Sequence, residues 1–557
     1  MKFISKLKSK YFLEFVIAFI LLCTVGTAVG IAQEVDEAVS LLAAEDPNRE
    51  LTPEDIPDSI LFSALVALAD YNGDGKLTVL ELNTYSGDEQ GSLDLSNLNI
   101  TDIKGLGYAK GVSSINLSLN NSITVIPDNA FAGCKNLVEI IIPESVVKIG
   151  NSAFSGCDKL EIINLPDVLS EIGESSFLNC TSLKEIKLPS KIAKIGSSAF
   201  SGCGLLEIEI PYNPENPVRL GANVFNSCTS LSNVILHEGM KSIPVGCFNN
   251  TAITGINLPK SVEVIEEKAF CNTNLTNLDL SGYSKLVSIK SGAFSNNYFL
   301  NKVVLPEALT ELGSNAFENC IILTEIKIPK GITVINDFTF SDCISLHNVI
   351  FTPFEVINGE NNYKIEEIGN GAFYGCFGLG GEDGKVEFLK NLNNLKKIGD
   401  YCFANGAIDT KEKDEEYGET IYYGFRSIVL PDSIQTIGKY AFANCYTLET
   451  VNIPYNVTLL DDYTFSKCYN LNEVIFIKDG VQYDDVPKLK AIGTNCFEYC
   501  YSLNTINLPS SLETIGAAAF RYCAKQKVRE VNKQKEYLYT GLKELYLPDS
   551  ISSIGNN

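Results

Sequence analysis

The chain has 557 residues, with 44 Lys and Arg against 68 Asp and Glu for a formal charge of −24, two His, two Met, no Trp and 17 Cys. So acidic a balance argues against a nucleic-acid partner, since phosphate recognition needs clustered Lys and Arg, and two histidines leave little room for His-based catalysis. At 45% hydrophobic content the chain can build a large core, and its length suggests several ordinary domains unless it is a repeat array whose core grows in one dimension.

Lys2, Lys6, Lys8 and Lys10 precede an apolar stretch from Tyr11 to Ala32 that only Glu14 interrupts, and Glu34, Asp36 and Glu37 follow. A charged start, an apolar run and the small-residue ending Gly30–Ala32 predict an export segment over residues 1–32. The uncharged run Phe15–Ala32 has 18 residues, about the minimum for a bilayer span. Both a cleaved signal peptide and an uncleaved anchor with its lysines on the cytoplasmic side fit. The expected location is therefore secreted or cell surface, in a bacterial setting. Residues 33–50 read as a linker.

From about Asp55 to Ala69 the pattern predicts a helix, with Asp55 as N-cap, Pro57 in the first turn and Ile60, Leu61, Ala64, Leu65 and Leu68 at helical spacing. The next twelve residues, 70–81, carry oxygen donors at every position an EF-hand loop demands. Asp70, Asn72 and Asp74 offer side-chain oxygens and Lys76 its carbonyl; Thr78 serves directly or through water, and Glu81 closes the site. Gly75 permits the sharp bend. A hard cation needs six or seven oxygens at about 2.4 Å, so the loop predicts calcium as cofactor. It resembles one half of a dockerin, without a second loop, so residues 51–90 read as a calcium-bound cap rather than a sensor.

Beyond it, Phe recurs at 131, 154, 177, 200, 225, 248, 270, 294, 317, 340, 373, 403, 442, 465, 497 and 520, most often 23 residues apart. A fixed period of this length marks a solenoid. Segments such as Leu183–Leu188, apolar at Leu183, Ile186 and Leu188 and closed by Pro189, suit a strand facing the array. The Ile195–Gly196 step marks a bend. Pro127, Pro244 and Glu266 fill the Gly196 slot elsewhere, and proline cannot take positive φ, so the slot requires a tight turn, not a left-handed one.

These segments resemble the BspA-like leucine-rich repeat family, over roughly residues 128–557. Residues 91–127, with Leu93, Leu95, Asn97, Leu98, Ile100 and Ile103, look more like a repeat of internalin-type proteins and read as a transitional first coil. The expected fold is an α/β-type repeat solenoid of about 16 BspA-type coils, preceded by a small helical EF-hand-like cap. The resemblance implies a right-handed superhelix with a short concave strand per coil, displayed at or released from a cell surface. It also implies a non-enzymatic protein that binds a protein or cell-surface ligand.

Twelve of the 17 Cys stand three residues after a marker Phe, and Thr251, Thr273, Asn297 and Gly406 fill the same slot elsewhere. The slot therefore requires a small buried side chain rather than thiol chemistry. Equivalent residues in stacked coils point the same way, farther apart than the ~3.8 Å between Cβ atoms that a disulfide needs, so free thiols are expected. His237 and His347 sit at strand margins; Cys343 with His347 is the one nucleophile-and-base pairing imaginable, and a ladder cysteine suits it poorly. No phosphate loop, serine elbow or His-Glu-x-x-His sequence occurs.

Of 25 Tyr, 18 follow Phe340. The residue after the Cys slot becomes Phe377, Tyr446, Tyr469 and Tyr501 in this half, a ladder that either binds a partner or packs against insertions. The Phe intervals of 33, 30, 39 and 32 place insertions between 341 and 497. The function expected is adhesion or protein recognition; the alternative is a structural part of an extracellular assembly, tethered through the dockerin-like segment.

Overall fold

The computed structural model describes residues 46–556 apart from 214–215, 358, 415–418, 479–480, 483–487 and 532–533. The expected export segment, and the linker up to residue 45, lie outside the described residues. The array makes about 18 turns. Each coil has two walls. In most coils one carries a strand of two to six residues such as Glu139–Ile141, the other a two-residue strand such as Lys148–Ile149, and paired strands on both walls run parallel. The first wall is interrupted at several coils, and Leu183–Leu188, expected as a strand, crosses it without strand pairing. The second wall is thus strand rather than helix. Among the described residues the α-helices are Ser59–Ala69 and Val79–Thr84, both in the cap.

In-register stacking follows from the period. Ile126, Ile149, Ile172, Ile195 and Leu220 align on one wall. On the same strands Glu171 lies between Lys148 and Lys194, at 3.5 and 2.9 Å. The Phe corner needs two left-handed residues, two positions before and two after each Phe: Ser152 (φ 52°) and Gly156 (φ 71°) around Phe154, Ser175 (φ 53°) and Asn179 (φ 60°) around Phe177. Gly and Asn recur there because they tolerate this conformation best, but Ser, Tyr, Lys, Phe and Ala take it as well, imposed by the stacked coils. The Gly196 slot is not left-handed, in keeping with its tolerance of proline; a Cβ on Gly196 would meet Glu174 N at 2.5 Å. Even the corner backbone is satisfied by the next coil: Ser152, Phe154 and Gly156 donate N–H bonds of 2.7–2.8 Å to Glu174, Ser176 and Leu178.

Inside, all sixteen marker Phe rings form one continuous stack from Phe131 to Phe520. Centroids are 5.2 to 6.0 Å apart, and the stack passes unbroken over the insertions between Phe340 and Phe497. The insertions leave the core as antiparallel hairpins, including Glu355–Ile357 with Glu360–Asn362 and Ala407–Lys413 with Thr420–Gly424. A further one, Ala524–Val531 with Gln534–Gly541, extends the insertions beyond the expected limit of 497.

The cap corrects the expected helix start. Pro57 biases the residue before it toward extended backbone, and the helix begins at Ser59 with Asp58 as N-cap, its Oδ1 accepting from the N–H groups of Ile60 and Leu61 at 2.9 and 3.0 Å. Asp55 is occupied elsewhere, accepting both Arg49 Nη1 contacts at 3.0 Å and the Thr52 N–H at 2.9 Å. Leu61, Leu65 and Ala69 face the core, which is continuous with that of the first coils. Residues 91–127, expected as one transitional coil, hold strands of two: Ser92–Asp94 pairs in register with Ser114–Asn116, and that strand with Glu139–Ile141.

Candidate functional site

The loop 70–81 is a chain of side-chain-to-backbone turns. Asp70 accepts from the N–H groups of Gly73 and Gly75, Asn72 from Asp74 and Asp74 from Lys76, at 2.8–2.9 Å. Gly75 takes φ 78°, the bend expected of it. Thr78 caps Val79–Thr84 in a capping box with Glu81, whose Oε2 accepts from the Thr78 N–H and hydroxyl at 2.9 Å while Oε1 accepts from Asn72 Nδ2 at 2.9 Å. In place of a second loop, the segment before the helix supplies the backbone partner: Leu51 N–H donates to Leu77 and Val79 N–H to Arg49, at 2.7 and 3.0 Å.

The donor set suits a hard cation. Glu81 is buried, 1% exposed, and among the described residues no Lys or Arg stands within ion-pair distance of Asp70, Asp74 or Glu81. A buried carboxylate without a cationic neighbour is costly unless something compensates its charge. Among the described residues no three carboxylate, Cys or His groups converge.

The second candidate region is the tyrosine ladder. Tyr446, Tyr469 and Tyr501 stack at 4.8 and 5.1 Å. Two hairpins bracket them. From the first, Tyr422 lies against Tyr446 and Tyr469 at 4.6 and 5.8 Å, and Tyr423 meets Phe377 edge-on at 6.3 Å. From the second, Lys525 Nζ sits 5.2 Å from the Tyr501 ring centre. The hairpins meet at Glu419, whose two carboxylate oxygens bind Lys525 and Lys527 at 2.7 Å each. Burial raises the Glu419 pKa, but the two ammonium groups outweigh it and hold the carboxyl below the ordinary range. Burial among its neighbours pushes the Tyr469 phenol upward. All four residues expected to form the ladder therefore touch, or are stacked on residues that touch, inserted chain.

A second stack was not foreseen: Tyr401, Tyr440 and Tyr463 lie nearly parallel at 4.7 and 4.6 Å, on the left-handed position before each Phe. Their spacing of 39 and 23, matching the Phe intervals, was the available signal.

The cysteines form an inner ladder of donors. Cys157, Cys180, Cys203 and Cys228 point Sγ at the carbonyls of Phe131, Phe154, Phe177 and Phe200 at 3.0–3.1 Å. Asn297, in the same slot, gives its amide to Phe270 O at 2.8 Å. Most occupants of the slot are thus small donors, although Gly406 fills it without one. Cys343 donates to Phe317 O at 3.1 Å and burial raises its pKa well above the usual thiol value, while His347 contacts its own Ser345 carbonyl at 3.3 Å. His237 instead reaches Glu209 at 3.0 Å.

Short parallel strands, a Phe corner and one continuous apolar core define a leucine-rich repeat solenoid. Sequence comparison makes the class specific: the BspA type leucine rich repeat region matches in six copies, over residues 102–216, 218–347, 264–406, 347–472, 421–533 and 481–557. The chain belongs to this BspA-type family. Among solved structures it is similar to a leucine-rich repeat protein from Bacteroides ovatus, 26% identical over 78% of each chain with a TM-score of 0.33. A leucine-rich cell surface protein from Faecalibacterium prausnitzii is 21% identical over 78% of this chain and 83% of that one, with a TM-score of 0.29. An internalin from Listeria monocytogenes is 14% identical over 58% of this chain and 98% of that one, with a TM-score of 0.18. No functionally curated protein matches.

Proposed function

We propose that this chain is an exported, non-enzymatic protein that mediates adhesion or protein recognition at a bacterial surface, with a structural calcium ion in its amino-terminal cap. The observation that carries the reading is the continuous array over residues 102–557, a family match without interruption of its Phe core from Phe131 to Phe520, from which the hairpins Glu355–Asn362, Ala407–Gly424 and Ala524–Gly541 project. Solenoids of this kind act through extended faces. Asp70, Asn72, Asp74, Thr78, Glu81 and the Lys76 carbonyl would hold the ion, neutralising the buried Glu81 and tying the loop to the helix it starts.

The pairing of Leu77 with Leu51 favours a cap over a tether, because the loop's exposed backbone is already used within the chain. Labelled full-length chain should bind cell or matrix surfaces saturably and be displaced by unlabelled chain, and D70A should bind as well as the parent at low temperature. Non-saturable binding overturns adhesion. Capture abolished by D70A in a folded chain would instead support an assembly component tethered through the calcium loop.

A further inference from the structure

Between Asn348–Phe351 and Lys385–Val386 the sheet of longer strands is broken. These strands belong to consecutive coils, whose Phe340 and Phe373 rings stack at 5.6 Å and whose opposite walls pair normally through Val334–Ile335 and Glu367–Ile368. Yet Asn348–Phe351 pairs only with Glu325–Ile328, and Lys385–Val386 only with Ser427–Ile428. The opening is a groove of about 370 Å³. Val349, Phe351, Val386 and Phe388 line its depth, and His347 and Lys385 stand at its edge.

Hydrogen-bonding capacity is left open here. Lys385 N–H turns back to its own Asp383 carboxylate at 3.1 Å rather than to the preceding coil. One residue beyond the groove, the hydroxyl of Thr352 is shielded from solvent with no partner, the one such side-chain atom among the described residues. Charge is also distinctive. Glu387 is neutralised by Lys390 at 2.7 Å, whereas the Lys385 ammonium has no ion pair among the described residues and stands over the groove, with the Asp383 carboxylate turned to its backbone.

We propose that this groove binds an extended segment of a partner protein as an added strand, with apolar side chains alternating inward and acidic side chains meeting Lys385 and His347. Two facing strand edges that do not pair with each other supply main-chain bonds, the Lys385 N–H exchanging its Asp383 partner for the added strand, and the period-two alternation of a strand matches an apolar floor beneath the Lys385 ammonium. The inference rests on the reading of the array as a recognition scaffold and identifies the kind of segment it takes.

The test uses the full-length chain and a fluorescent peptide, acetyl-(Glu-Val)3-amide, with (Lys-Val)3 and N-methylated (Glu-Val)3 as controls. The expected result is saturable binding of the first peptide, at least about tenfold weaker for either control and for K385E, as loss of a charge pair or of main-chain bonding predicts. Amide hydrogen exchange should slow at 348–351 and 385–386 in the saturated complex and not in the controls. Equal binding of all three peptides, protection elsewhere, displacement by inorganic phosphate alone, or no saturation at about 1 mM, a bare −4 kcal/mol, overturns the groove. If K385E still binds the surfaces that the parent binds while the peptide fails, the recognition reading stands and the groove falls.

Discussion

Asp58 joins the cap to the solenoid: its Oδ1 caps the helix Ser59–Ala69, while its Oδ2 accepts from the N–H and hydroxyl of Thr101, at 2.7 and 2.9 Å. One carboxylate thereby satisfies donors from two elements 43 residues apart in sequence. Burial raises its pKa, but the Thr101 and Leu61 N–H groups and the Thr101 hydroxyl outweigh it and hold the carboxyl below the ordinary range.

D58A removes the helix cap and leaves the Thr101 donors without a partner, so it should destabilise the cap by about 1–3 kcal/mol. The sign of the pH dependence follows from the depressed pKa. The contribution is complete above the unfolded value of about 3.9 and is lost as the pH falls through the folded value. Melting from neutral pH down to strong acid should show the parent losing more stability than D58N below about pH 4. Parallel curves would remove Asp58 as the acid-sensitive link.

Calcium should raise the melting temperature of the chain, and D70A should abolish the rise. At a hundredfold excess over Kd a ligand that binds only the folded state stabilises it by about 2.7 kcal/mol. The loop's turns are already built from its own amides, so the secondary structure in far-ultraviolet circular dichroism should change little on binding. An unchanged parent melt in calcium would withdraw the metal site.

The Glu419 clasp joins the two hairpins that bracket the tyrosine ladder, and its removal should loosen them over it. Each partly exposed ion pair contributes little, about 0–1 kcal/mol, so E419Q should scarcely alter the melt. It should, however, increase nitration of Tyr446 and Tyr469 relative to Tyr71, which is 70% exposed in the parent. If nitration at both positions is unchanged, the ladder is protected by Tyr422 alone. Replacing Tyr446, Tyr469 and Tyr501 with Ser should then tell packing from recognition: unaltered binding with a lowered melting temperature assigns the ladder to the hairpins.

The thiols give a count. All sixteen described cysteines are unpaired, and all but Cys271 are buried. Thiolate is the reactive form, and burial pushes thiols such as Cys134, Cys228 and Cys445 up to about 12. The native chain should therefore react slowly at neutral pH, whereas the unfolded, unreduced chain should titrate at least 16 thiols. Many fewer would mean bridges.

Much of this was legible because a repeat states each requirement many times. Sixteen Phe steps fix the period, and the occupants of one slot, Pro127, Pro244 and Glu266 beside Gly196, decide its backbone conformation. Features stated once were harder. Asp55 and Asp58 are both credible N-caps in sequence, and what separates them is contact with Arg49 on one side and Thr101 on the other. The hairpin Ala524–Gly541 escaped because no marker Phe follows it, although Gly516 and Gly555 are 39 positions apart, as are Gly399 and Gly438 around the hairpin Ala407–Gly424. The groove needs two strands to remain unpaired, which no pattern of side chains announces.

The cysteine slot distinguishes size from hydrogen bonding. Cys343 is fully buried and gives its Sγ proton to Phe317 O at 3.1 Å; Asn297 and Thr251 make amide and hydroxyl bonds to Phe carbonyls from equivalent places, the latter to Phe248 at 2.9 Å. If the slot asked only for a small apolar group, C343A and C343S would differ by the cost of burying a hydroxyl, and alanine would be the milder change. Because Phe317 O takes this thiol as a second donor beside the Cys320 N–H, serine should be the milder: it keeps the bond, whereas alanine forfeits it, at about 0.5–1.5 kcal/mol, and opens a small void beside the Phe stack. Chemical denaturation of both variants decides the matter, with C343A the more stable counting against the donor ladder.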